Sequence, residues 1–213
     1  MPKVWRSALA LGMFVVACGG GGEEPMEQEP MGGEAVVDQP AGPDDVACEP
    51  TATGEELTGR QSPYDSTTIR VGEGMVKVCY SRPALRGRTM IGGEAVPYDT
   101  LWRTGANEPT IIHLTAAAEI AGLPVEPGSY SLYTVPRETG PWTVIVNRST
   151  SQWGHESRYT PEVRAQEVGR AQVESEQTDA PIEQFTIRPM EGDGGLILEW
   201  QNARVRVPIR PAS

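Results

Sequence analysis

The sequence predicts an all-β fold for residues 61–213, an antiparallel β-sandwich of roughly nine strands with one or two short helices. Several short runs alternate apolar and polar residues, which is typical of strands that bury one face. Glycine and proline separate these runs, and no long stretch has the 3.6-residue periodicity of an amphipathic helix. Many short strands with frequent turn residues indicate two packed sheets.

The alternation is clearest at 142–147, where Trp142, Val144 and Val146 share one face. We predict a tight hairpin at Asn202-Ala203, between the last two strands. The predicted strands are 67–71, 75–80, 110–114, 129–135, 142–147, 182–188, 195–200 and 203–209, with 166–176 as a polar edge strand.

Two short helical turns are expected, near 98–102 and near 161–165. The second begins with Pro161, and proline is favourable in the first turn of a helix.

Residues 1–17 are predicted to be a bacterial lipoprotein signal peptide. Two basic residues precede an apolar run at 8–17, which is too short to span a bilayer. A small residue then precedes Cys18, as in the lipobox, so we expect Cys18 to carry the lipid anchor. An ordinary signal peptide cleaved near Ala17 is the alternative.

Lipidation implies a membrane partner and a position in the bacterial cell envelope, because each buried acyl methylene contributes about 0.8 kcal/mol of membrane affinity. Gly19 after the cysteine resembles the signal for outer-membrane delivery. The sequence leaves open whether the protein faces the periplasm or the cell surface.

The net charge of -11 is concentrated in residues 18–60. Residues 19–60 contain 11 acidic side chains, one basic side chain and no aromatic residue, whereas residues 61–213 have a net charge of only -3. Such a segment buries too little apolar surface to fold, so we predict a disordered linker. No basic patch suggests nucleic-acid binding.

Cys48 and Cys79 remain once Cys18 is assigned to the lipid. An oxidising compartment favours a disulfide between them, which would attach the linker to an early strand. Two free thiols are the alternative, because the sequence does not report whether the cysteines can approach each other.

Six phrases of the folded part resemble the bacterial family known as domain of unknown function 2911. The resemblance spans about residues 61–208 and implies a secreted or periplasmic all-β protein, with no established activity. The phrases are YSRPALRGRTMIGG (80–93), VPYDTLWRTGANEPT (96–110), EPGSYSLYTVP (126–136), WTVIVN (142–147), QWG (152–154) and LEWQNARVRVPI (198–209).

The loop 102–108 is the leading candidate for ligand binding. Loops on a rigid sandwich commonly carry binding residues. Aromatic rings and planar hydrogen-bonding groups together suit a glycan or a small carboxylate. A buried Arg103–Glu108 salt bridge that only orders the loop is the alternative. The candidate ligand-binding residues are Arg103, Asn107, Glu108, Tyr80, Arg82 and Trp153.

Catalytic and metal signals are weak. His113 and His155 adjoin no nucleophile motif, and no spaced cysteine, histidine and carboxylate cluster predicts a metal. We expect no cofactor. Three functions remain open: a binding protein for a small molecule, a glycan or an envelope partner; an envelope hydrolase that uses Glu108 or His155; and a structural or assembly module.

Overall fold

A computed structural model describes Cys48 and residues 59–192 and 194–213. These residues belong to one compact unit, Gln39–Ser213. The predicted signal peptide, Cys18 and nearly all of the predicted linker lie outside the described residues. No helix in the described part of the chain is long and apolar enough to cross a membrane.

The described chain forms ten strands and two short helical segments. The helical segments are a 3₁₀ turn at Glu156–Arg158 and a one-turn helix, α1, at Pro161–Arg164. The strands are β1 (Tyr64–Val71), β2 (Gly74–Ser81), β3 (Thr110–Leu114), β4 (Ala118–Ile120), β5 (Leu123–Val125), β6 (Gly128–Val135), β7 (Trp142–Asn147), β8 (Glu167–Val173), β9 (Ser175–Pro189) and β10 (Gly195–Pro211).

The strands form two antiparallel sheets, so the predicted β-sandwich is confirmed. The first sheet has six strands in the order β1-β2-β3-β6-β7-β8, and the second has four in the order β5-β4-β10-β9. Every pairing of neighbouring strands is antiparallel. The alternation seen in the sequence now has a physical cause, because Trp142, Val144 and Val146 are buried on the inner face of β7.

Aromatic rings fill one part of the space between the sheets. Trp102 stacks on Trp200 of β10 with 5.6 Å between ring centroids, and its edge meets Phe185 of β9 at 5.1 Å. Both indoles satisfy their N–H groups: Trp102 donates to the Gly105 carbonyl and Trp200 to the Glu183 carbonyl. The cluster joins the loop before β3 to the four-stranded sheet.

The predicted hairpin at Asn202-Ala203 is wrong. β10 runs through this point as one strand and stays paired with β9 on both sides, with register shifts around Gln201. Gln201 has a positive φ of 53°, which bends the strand without reversing it. The polar break in the sequence therefore marks a β-bulge, where an extra residue disturbs the ladder.

Of the two predicted helical turns, the second is confirmed and the first is wrong. α1 confirms the predicted second turn, and the Thr160 hydroxyl caps it by accepting a hydrogen bond from the Val163 N–H. The turn predicted near 98–102 is not helical, because Trp102 instead forms an isolated bridge with Thr134. β4 and β5 were not predicted, since three residues are too few to show a periodicity.

The segment 148–166 covers part of the outer face of the six-stranded sheet. The Gln152 amide donates to the Tyr133 hydroxyl at 2.9 Å, and the Asn147 amide donates to the Val163 carbonyl at 2.7 Å. Tyr133, Asn147 and Ile145 are consequently buried although they point away from the sandwich core. The covering layer was not predicted.

Tyr80 connects the two sheets through its hydroxyl. This oxygen accepts a hydrogen bond from the Ile187 N–H at 2.9 Å and donates to the Ile187 carbonyl at 3.2 Å. Burial raises the pKa of the Tyr80 phenol, so the group stays a donor at neutral pH. Backbone groups of β9 thus find partners in the facing sheet.

Tyr80→Phe is expected to lower the free energy of unfolding by about 1–3 kcal/mol, because the buried Ile187 N–H loses its acceptor. Urea denaturation of the whole chain measures the change. Tyr98→Phe is the control, with an expected change within about 0.5 kcal/mol. Equal stability of Tyr80→Phe and the unaltered chain would contradict the role given to the hydroxyl.

Candidate functional site

Arg103, at the start of the predicted binding loop, pairs with Glu156 rather than with Glu108. Its guanidinium lies 3.3 Å from a Glu156 carboxylate oxygen and donates to the Asn107 carbonyl at 3.4 Å. The alternative prediction of an Arg103–Glu108 salt bridge is therefore wrong, since each residue has a different partner. The Arg103–Glu156 pair links the loop 102–108 to the segment that covers the outer sheet face.

Glu108 is buried, with 3% of its side chain exposed. Its carboxylate accepts a hydrogen bond from Arg60, which also contacts the Ser81 hydroxyl. The sequence did not point to Arg60, because this residue precedes the predicted domain by one position. The Glu108 carboxylate therefore faces the Arg60 side chain and not open solvent.

Asn107 and Trp153 lie on adjoining loops. The Gly154 N–H donates to the Asn107 carbonyl at 3.1 Å. A Cβ on Gly154 would come within 2.3 Å of that oxygen and 2.8 Å of the Arg103 Cδ, so glycine is needed for this close approach. Beside it, the Trp153 side chain is 43% exposed. Arg103, Asn107 and Trp153 thus belong to one surface.

The other two predicted site residues lie elsewhere. The Tyr80 side chain is buried in the sandwich core, on the opposite face of β2 from Ser81. Arg82 pairs with Asp65 at 3.0 Å and donates to the Phe185 carbonyl at 3.2 Å. The contacts of Arg82 join β1 and β9, and the Tyr80 hydroxyl also bonds to β9. Tyr80 and Arg82 therefore connect the two sheets.

Both histidines contact a serine hydroxyl through Nδ1. His155 lies 2.7 Å from Ser157 and accepts from its N–H, so it caps the 3₁₀ turn. His113 lies 2.7 Å from Ser129 on the neighbouring strand β6. No group of three or more histidine, cysteine or acidic side chains is arranged to hold a metal ion in residues 59–192 and 194–213.

The structure contains a cavity of about 280 Å³ that the sequence did not predict. It opens where the β6–β7 loop, the start of β9 and the bulge of β10 meet the segment 91–98. Aromatic and polar side chains both contribute to its wall. The wall includes Tyr98, Arg137, Trp142, Gln177 and Asn202.

Gln201 holds one wall of this cavity in place. Its side-chain oxygen accepts hydrogen bonds from the N–H groups of Met90 and Ile91, and its amide donates to the Ile91 carbonyl at 3.0 Å. The bulge therefore directs an amide toward the backbone of a separate segment. β-Bulges commonly re-aim side chains next to functional sites.

A second cavity of about 390 Å³ adjoins the first, and both share Glu176 and Gln177. Arg204 lines the second cavity and lies 3.2 Å from the Glu176 carboxylate, and Arg206 lies 3.0 Å from the same oxygen. The hydrogen bond from Arg204 lowers the pKa of Glu176. Arg103, Asn107 and Glu108 line neither of these two cavities.

Sequence reasoning missed the cavity because its wall comes from segments far apart in the chain. Tyr98, Arg137, Gln177 and Asn202 each lie in a different segment, and only the fold brings them together. The one local signal was the break in alternation at Asn202-Ala203. That signal predicts a hairpin turn, and the structure shows a bulge there instead.

These features define the class of protein: an antiparallel β-sandwich with a surface cavity at the bulge of its longest strand. The chain belongs to the family described as protein of unknown function (DUF2911), whose model matches residues 62–209. No curated protein matches the chain. No solved structure matches it either.

Proposed function

We propose that this protein is a lipid-anchored component of the bacterial cell envelope whose β-sandwich binds a small, hydroxyl-rich ligand such as a glycan unit. The observation that supports binding is the cavity of about 280 Å³ beside the β10 bulge. Its volume is near the lower end of the usual range for small-molecule sites, about 300–1,000 Å³. A ligand of one or two sugar rings suits this size.

The chemistry of the wall favours a polar ligand with one apolar face. Tyr98 is partly exposed and provides aromatic surface, which suits the C–H face of a sugar ring. Asn202 and Gln177 provide amides that both donate and accept, and Arg137 adds a charged donor. Arg137 is exposed and lies 3.7 Å from Asp99, so its guanidinium remains accessible to a ligand.

Binding is tested with the purified whole chain and a panel of monosaccharides, disaccharides and small carboxylates, by isothermal titration calorimetry. We expect at least one sugar to bind, and Arg137→Ala to weaken that binding about tenfold, the effect of losing about 1.4 kcal/mol. Such a loss is typical of a hydrogen bond to a charged group.

Arg103→Ala is the matched control, because it removes the same side-chain type from the loop 102–108. It should leave binding at the cavity unchanged. If Arg103→Ala abolishes binding while Arg137→Ala does not, the ligand site is the loop predicted from the sequence. If no member of the panel binds, the proposed ligand class is wrong.

The proposed anchor rests on the sequence around Cys18. Cys18→Ser is expected to move the protein from the membrane fraction to the soluble fraction, because the variant lacks the thiol that carries the lipid. Detergent phase partitioning of cell fractions measures the change. Unchanged partitioning of Cys18→Ser would contradict the lipid anchor.

A further inference from the structure

Arg60 is the single basic residue between Cys18 and Gln61, in a segment with 11 acidic residues. Its side chain is nevertheless only 7% exposed. A long charged side chain seldom leaves water unless its partners replace the lost hydration. The side chains that contact Arg60 therefore indicate which chemical group this part of the domain surface binds.

Three side chains of the folded domain surround the Arg60 guanidinium. The Glu108 carboxylate accepts a hydrogen bond from Nη2, and the Ser81 hydroxyl lies 3.4 Å from Nη1. The guanidinium carbon lies 6.0 Å from the centroid of the Tyr64 ring. A carboxylate, a hydroxyl and an aromatic face are the groups that bind a planar guanidinium through charge, directional donors and cation–π contact.

The fold itself positions these three groups. Tyr64 begins β1 and Ser81 ends β2, and the two residues are register partners in the six-stranded sheet. Glu108 is fixed by the loop before β3, where the Thr110 hydroxyl donates to the Thr104 carbonyl at 2.6 Å. Gly154 also lies close to the Glu108 backbone, since an added Cβ would come within 2.7 Å of the Glu108 carbonyl carbon. The arrangement is therefore built by elements that do not include Arg60.

We propose that Glu108, Ser81 and Tyr64 form a guanidinium-binding site on the sandwich, which the chain fills with its own Arg60. The acidic segment is thereby docked onto the domain at its last residue. The disulfide between Cys48 and Cys79 attaches the same segment to β2, two residues from Ser81. A covalent bond at Cys48 and a specific ion pair at Arg60 therefore attach the segment to the domain at two points.

The test is chemical rescue in the whole chain. Arg60→Ala empties the site, and the melting temperature should fall by several degrees because the buried carboxylate loses its cation. Methylguanidinium at millimolar concentration, well below denaturing levels, should restore much of that loss in a saturable manner. Methylammonium carries the same charge without the planar donors and should restore less.

Two variants separate a built site from a general salt effect. In Arg60→Ala/Glu108→Gln the carboxylate is absent, so methylguanidinium should not restore stability. Arg82→Ala removes a nearby but more exposed ion pair with Asp65 and should not be rescued either. Absence of rescue in Arg60→Ala, or equal rescue in the double variant, would overturn the proposal.

A measurement on the unaltered chain covers the case in which Arg60→Ala does not fold. In ¹⁵N NMR spectra the Arg60 guanidinium protons should exchange with water more slowly than those of Arg137, whose side chain is 55% exposed, because Glu108, Ser81 and Tyr64 enclose them. Arg60→Lys assigns the signal by removing it. Exchange as fast as that of the exposed Arg137 would show that no enclosed guanidinium site exists.

Discussion

Trp200→Ala is expected to lower the free energy of unfolding by about 3–5 kcal/mol, the usual cost of removing a large buried aromatic side chain. Trp200 is 2% exposed and contacts both Trp102 and Phe185. Alanine would leave a cavity between the sheets, and the two remaining rings would lose their packing surface. The Trp200 indole also donates to the Glu183 carbonyl, which would lose this partner.

Guanidinium or urea denaturation followed by circular dichroism measures this effect. Trp153→Ala is the matched control, because Trp153 is the same residue type with 43% of its side chain exposed. Its change should stay within about 0.5 kcal/mol, as for most surface substitutions. Similar losses in the two variants would contradict the assignment of Trp200 to the core.

Loss of the Cys48–Cys79 disulfide is expected to lower the free energy of unfolding by about 3–4 kcal/mol. The two cysteines are 31 residues apart, and the chain-entropy relation gives this range for a loop of that length. The disulfide restricts the unfolded chain, whereas the folded sheet keeps most of its contacts without it. Cys48→Ser is the preferred variant, because Cys79 is buried in β2 and its replacement would also change packing.

The comparison needs the oxidised chain, the reduced chain and Cys48→Ser, each unfolded in urea. Reduction of the unaltered chain should destabilise it about as much as Cys48→Ser does. Reductant should then have no further effect on Cys48→Ser, which serves as the control. A reduced chain as stable as the oxidised one would show that the disulfide contributes little to folding.

Two of the strongest sequence expectations concerned local patterns. The alternation at 142–147 predicted β7 with its bounds, since a period of two directly reports which residues face the core. Pro161 predicted α1, because proline favours the first turn of a helix. The structure adds the Thr160 hydroxyl as the cap of that turn. Both signals depend on adjacent residues and allow a single local structure.

The errors occurred where adjacent residues allow two structures. Asn202-Ala203 lies between two alternating runs and contains a polar residue, which fits a hairpin as well as a bulge. The choice depends on whether β9 continues beside both halves of β10, and β9 belongs to another part of the sequence. The pairing of Cys48 with Cys79 was open for the same reason, because a Cα–Cα distance of 5.6 Å is a property of the folded chain.

The candidate sites show the same difference between local signals, which the sequence contains, and long-range contacts, which it does not reveal. The polar side chains of the loop 102–108 made it a candidate from the sequence, but its ion pairs were not predicted. Glu108 binds Arg60, and Arg103 binds Glu156, each across about 50 positions of sequence. The cavity beside Gln201 had no compact sequence motif at all.

The amino-acid sequence was sufficient for the fold class, the family resemblance and the uneven distribution of charge. Each of these depends on composition or on short-range order along the chain. Tertiary structure decided the partner of Glu108, the course of β10 and the position of the cavity. These depend on contacts between distant segments, and such contacts form only when the two sheets pack and bring those segments within bonding distance.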